Sequence, residues 1–187
     1  MFLTQGYEDT SVDEIIEKAQ IAKGTYYYHF ESKEQMLEEV IDMMIDNETE
    51  MAKQIIKTDI PVPQKIVGII TSIKPTEEEQ PIQNALFQPE NVLMHHKVRK
   101  KLINVVTPLL SEVIKEGVDE GIFKCDNIPE RVKMLLIISD GTFNEGKFSE
   151  QDISVFIDMT EKLLGAEKGT MSFIYNLIDK SDMEVVE

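Results

Sequence analysis

One cysteine, Cys125, stands in 187 residues, so the chain cannot form an internal disulfide or a multi-cysteine zinc site. A reducing compartment, the cytoplasm, is the expected location. Long apolar runs are also missing. The longest aliphatic stretch, MLLII at 134–138, is far too short to cross a bilayer. The opening MFLTQGYEDT lacks the basic and apolar regions of a secretory signal. Cations are scarce: 19 Lys and Arg face 35 Asp and Glu, for a net charge of −16. That balance argues against a general nucleic-acid coat, which needs a positive surface, but it permits a small reading element with its own local field. No glycine-rich phosphate loop occurs, and no Ser/His/Asp or Cys/His spacing suggests a nucleophile. Catalysis is unsupported, and no cofactor or metal is expected.

What is present is helical periodicity. Residues 32 to about 58 place apolar side chains at Met36, Leu37, Val40, Ile41, Met44, Ile45, Met51, Ala52, Ile55 and Ile56, one stripe on a long helix. Ser32 suits its start, and Pro61 and Pro63 forbid its continuation. Shorter helices are predicted over 63–73 and 81–87, on either side of the acidic loop TEEEQP. A long apolar pattern then runs from Val92 to Val118 with Pro108 inside it, which predicts a kink near Asn104 or two abutting helices. Further helices are expected over 129–144, with Pro129 at its first position, and 149–164, with Ser149 as N-cap and Gly165 as stop. A last one is expected over 170–178. No segment alternates as a strand does. The expected fold is all-α, divided into an N-terminal part, 1–45, and a larger helical part, 46–187.

The N-terminal part holds the sharpest motif. Thr10, Ser11 and Asp13 offer an N-cap hydroxyl and an early acid to a short helix carrying Val12, Ile15, Ile16 and Ala19. The brief connection Gln20-Ile21-Ala22 leads to a second short helix, KGTYYYHF, over 23–30. Two short helices joined this way describe a helix-turn-helix. Tyr26 and Phe30 lie four apart and are expected to face inward with Ile21, leaving Lys23, Tyr27 and Tyr28 for whatever the helix meets. A tyrosine can touch a thymine methyl or donate to a phosphate without adding charge. Gly24 permits close backbone approach, and Lys33 is placed to hold a flanking phosphate. His29 fits either a phosphate contact or the helix end.

The run GYEDTSVDEIIEKAQIAKGTYYYHFESKEQML resembles the DNA-binding domain of TetR-family transcriptional repressors. Thr10, Val12, Ile15, Ala19, Lys23, Gly24, Thr25, Tyr27, Phe30, Ser32, Lys33, Glu34 and Leu37 fall in that family's register. The resemblance implies a homodimeric repressor that binds a double-stranded operator and responds to a small-molecule effector. It also implies DNA contacts from Lys23, Gly24, Thr25, Tyr27, Tyr28, His29 and Lys33, with Thr10 or Ser11 on the backbone. Residues 1–5 read as the tail of the helix that precedes this motif in the family. Two expectations follow: a segment has been cut away, or the first helix is lost and the chain is a ligand-binding or protein-interaction module that no longer touches DNA.

The larger part offers weaker candidates. Phe87, Met94, Leu102, Val106, Met134 and Ile138 are expected to line an adaptable apolar pocket. The MLLII run covers every side of a helix and so must be buried all round. The chain's own core is expected to cover one side and a second copy of the chain the other, through Ile137, Phe143, Phe156, Met159 and Leu163 in a four-helix bundle. His95 and His96, with Lys97, Arg99, Lys100 and Lys101, read as a solvated face, a patch for an acidic ligand or, with other ligands, a metal site.

Overall fold

A computed structural model describes residues 1–144, 147–178, 180 and 183. Among them no strand forms, and the one β-type contact is an isolated bridge between Phe148 and Met183. The described residues form nine α-helices: α1 Phe2–Gln5, α2 Val12–Ala19, α3 Lys23–His29, α4 Lys33–Ile56, α5 Val62–Ser72, α6 Gln80–Leu86, α7 Val92–Asp119, α8 Ile128–Phe143 and α9 Glu150–Leu164. The chain divides into two units, and the division is not contiguous. The first is 1–48 with 74–101, the second 49–73 with 102–187. Residues 74–101 thus belong with the helix-turn-helix rather than with the larger part.

In the first unit α1 packs against α6. Phe2, Ile82, Ala85, Leu86 and Met94 are buried there. Asn91, also buried, donates from its Nδ2 to the Ala85 carbonyl at 2.8 Å and so meets the requirement that a buried amide be bonded. On α4, Leu37, Ile41 and Ile45 are buried at four-residue spacing. Two ion pairs one turn apart join α4 to α7: Lys97 to Glu38 at 3.1 Å and Lys101 to Asp42 at 2.7 Å.

The second unit holds the main core. Val62, Ile66 and Ile69 of α5 meet Val106, Leu109, Leu110, Val113 and Ile114 of α7, with Val132, Leu135 and Phe143 of α8 and Ile153, Phe156 and Leu164 of α9. Pro108 lies inside α7, which runs through it as one helix, so the two-helix alternative fails. A proline removes one backbone donor, and the buried stripe on both sides of it outweighs that loss. Lys65 is buried on α5 and reaches both Glu116 oxygens, at 2.6 and 2.7 Å.

Helix ends follow local chemistry. Ser149 and Asp152 form a reciprocal capping box at the head of α9. At its tail Gly165 adopts φ 63°, and a side chain there would run into the Lys124 carbonyl. Beyond it, the buried Glu161 carboxylate accepts from the Gly169 and Met171 amides at 2.8 and 3.0 Å. This holds the return of the chain into the 3₁₀ turn Ser172–Asn176, where a full helix was expected.

Candidate nucleic-acid interface

The helix-turn-helix is built by short-range bonds. Ser11 caps α2: its Oγ accepts from the Glu14 amide at 3.2 Å, while its own amide donates to Glu14 Oε2 at 2.8 Å. Accepting the Ser11 amide, then its hydroxyl, holds the Glu14 carboxyl below the ordinary glutamate range. The turn is made by Gln20 in the left-handed region (φ 55°), whose amide returns to Glu17 and Ile16. Ala22 then opens α3.

Spacing sorts α3 into two faces, as 3.6-residue periodicity requires. Tyr26 is 1% exposed, and its hydroxyl donates to the Ser32 carbonyl at 3.3 Å. Burial, then Tyr27, raises its pKa. Phe30 stands behind it, ring centroids 5.4 Å apart. Lys23, Gly24, Thr25, Tyr27, Tyr28 and His29 are all exposed. Tyr28 is the most open of them, at 83%, against 49% for Tyr27.

The cations of this surface have partners. Lys23 Nζ lies 3.0 Å from Asp13 Oδ1, and that bond raises the lysine pKa. Lys33 donates to the Tyr7 carbonyl at 3.0 Å and sits 4.1 Å above the Tyr7 ring. The Tyr7 hydroxyl is buried beside the Glu34 carboxylate without a well-formed hydrogen bond to it. Burial first, and Glu34 second, raise its pKa. Asp13 and Tyr7 were not among the expected site residues. A carboxylate ten positions before a lysine, across a helix-turn-helix, is the signal that pairs the first.

Three expectations need correction. Thr10 is fully buried and donates to the Gly6 carbonyl at 2.6 Å, so it cannot reach a backbone phosphate; Ser11, beside it, is exposed. Ile21 is exposed rather than packed with Tyr26 and Phe30. The expected apolar pocket is not assembled from its six residues. Met134 (57% exposed), Ile138 and Phe87 stand at the surface, the last against His95 at 4.7 Å between ring centroids. Met94 is buried in the first unit, Val106 in the core of the second, and Leu102 is half-buried.

The expected subunit-contact residues divide likewise. Phe143 and Phe156 belong to the chain's own core, edge to face at 5.3 Å. Ile137 is 49% exposed, and Met159 and Leu163 are half-buried. The MLLII run is therefore buried on one side only, that of Leu135. In the basic cluster Lys97 and Lys101 are paired with carboxylates of α4. Among the described residues no group of His, Cys, Asp and Glu could hold a metal, and no helix is long and apolar enough to cross a membrane.

Residues 1–40 match the family described as bacterial regulatory proteins, tetR family. Over those residues the chain carries the TetR-family helix-turn-helix. Among curated relatives, the HTH-type transcriptional repressor KstR2 of Mycolicibacterium smegmatis is 28% identical over 130 residues, 67% of this chain and 63% of that protein. The HTH-type transcriptional repressor DhaR of a Mycobacterium species is 26% identical over 144 residues, 74% of this chain and 72% of that protein. The matches to the KstR2 proteins of M. smegmatis and Rhodococcus jostii span less than two thirds of those proteins, 63% and 64%. A transcriptional regulator from Cytophaga hutchinsonii superposes with a TM-score of 0.56 at 18% identity, covering 88% of this chain and 89% of that one. That likeness shows the fold alone, an all-helical architecture with an N-terminal helix-turn-helix.

Proposed function

We infer that the chain is a TetR-type transcriptional repressor that binds a near-palindromic operator as a homodimer and is released by a small-molecule effector. The observation that carries this is the sorting of α3: one aromatic buried and bonded, the rest of KGTYYYH turned to solvent. Exposed Tyr27, Tyr28, Thr25, Lys23, Gly24 and His29 are the groups that meet base edges and phosphates when such a helix enters a major groove. Ser11 and Lys33 flank them. The repressors KstR2 and DhaR, to which the chain is similar, support the same reading.

Homodimerisation is supported by the uncovered apolar face of Met134, Ile137 and Ile138 on α8, with Val155 exposed on α9. A single-chain surface rarely leaves such a patch bare. A two-fold dimer places two α3 helices about one turn of duplex apart, roughly 34–36 Å. An effector in the second unit would weaken binding by its difference in affinity for the two states of the dimer.

One observation favours another reading, a ligand-binding or interaction module that does not touch DNA: the first 48 residues hold twelve carboxylates, three lysines and no arginine. Selection of bound duplexes from a random pool decides between them. Enrichment of an inverted repeat supports the repressor, and no enrichment at low salt excludes it.

A further inference from the structure

We propose that this protein grips its operator mainly through uncharged side chains, Tyr28 foremost, with little release of counterions. The inference rests on the DNA-binding reading above and concerns how that contact is made.

Affinity for duplex ordinarily comes from lysine and arginine displacing condensed cations from phosphates. Residues 1–48 hold only Lys18, Lys23 and Lys33, the other cations of the unit lying within 74–101, and the two on or beside α3 are already occupied. The Lys23 ammonium is held by Asp13 at 3.0 Å, bridging the heads of α2 and α3. That of Lys33 is turned onto the Tyr7 carbonyl and ring. To reach a phosphate each must leave a partner, so its net gain is reduced. Lys18 sits in the last turn of α2, outside the recognition helix. Meanwhile the carboxylates of this unit repel the duplex at long range, and added salt screens that repulsion. The two salt effects therefore oppose each other, where in a basic reader only the unfavourable one operates.

The remaining contact falls to neutral groups. Tyr28 is 83% exposed and bears on His29 edge-to-face, 5.0 Å between centroids, a contact that restricts the ring without covering it. A ring held this way loses little rotamer freedom on docking and presents both an apolar edge for a thymine methyl and a hydroxyl donor. Thr25 and Tyr27 add hydroxyls on the same helix.

The test uses the 187-residue chain, a duplex selected from a random pool, and fluorescence anisotropy between 50 and 200 mM KCl. The expected slope of log affinity against log salt is shallower than about −3 for the dimer, a loss under about sixtyfold, where six to ten phosphate contacts would cost about a thousandfold or more. Tyr28→Ala should weaken binding by about tenfold or more with the slope and the thermal midpoint unchanged. A slope of −3 or steeper, or a smaller effect of Tyr28→Ala, overturns the proposal and leaves the repressor reading intact. Failure to enrich any duplex at 50 mM KCl sinks both.

Discussion

Two side chains of the first unit carry costs that single substitutions relieve. The Tyr7 hydroxyl is buried without a hydrogen-bonding partner, a state that costs roughly 1–3 kcal/mol. Tyr7→Phe keeps the ring under Lys33 and against Phe2. It should raise stability by about 1 kcal/mol in urea titration. Glu48 is the second. Burial, and then the charge of Glu79, lift its pKa to about 7. Because the folded value exceeds the unfolded one, the fold prefers the protonated acid. The penalty is absent below pH 4.5, grows as the pH rises, and is complete above about 7. Glu48→Gln should therefore stabilise at pH 8, by ~1 kcal/mol after allowing for solvent screening, and leave stability at pH 4 unchanged. Some side-chain directions were legible beforehand. The four-residue spacing of Tyr26 and Phe30 announced which face of α3 turns inward. Thr10 was not legible: a hydroxyl at a helix head reads the same whether it caps, meets a ligand or is swallowed. What decides is the turn at Gly6 (φ 88°), which brings the Gly6 carbonyl within reach of it.

Helix termini were the most readable elements, because they depend on neighbours three or four residues away. Ser149 with Asp152, and Gly165 after Leu164, were visible as a start and a stop and are found so. Ser149→Ala removes half of the capping box and should cost about 1 kcal/mol in denaturant. Gly165→Ala should cost more, since a left-handed backbone and the Lys124 carbonyl both resist a methyl group; loss of helical circular dichroism on heating measures both. Helix faces were less readable. The MLLII run called for cover on every side, and within one chain only the Leu135 side has it, with Met134, Ile137 and Ile138 open on α8. Periodicity says that a face is apolar, not which neighbour covers it. The same ambiguity put Phe143 and Phe156 at a subunit contact when they close the chain's own core.

At the scale of the molecule, the division of the chain escaped the sequence. Residues 74–101 join the first 48 through contacts far apart in the chain, which no local pattern encodes. Net charge, by contrast, is read directly. At −16 the fold repels itself, so added sodium chloride should raise the thermal midpoint by a few degrees, about 1 kcal/mol, before any specific ion effect enters. Dimerisation through α8 is tested by Ile137→Glu, which should yield a monomer in sedimentation with helical content retained. Glu161 bears on how the gene tolerates editing. Its carboxylate depends on amides from Gly169 and Met171. A stop codon before residue 169 would strand a bare anion in a greasy niche, inviting proteolysis. Nonsense alleles upstream of residue 169 should therefore behave as nulls.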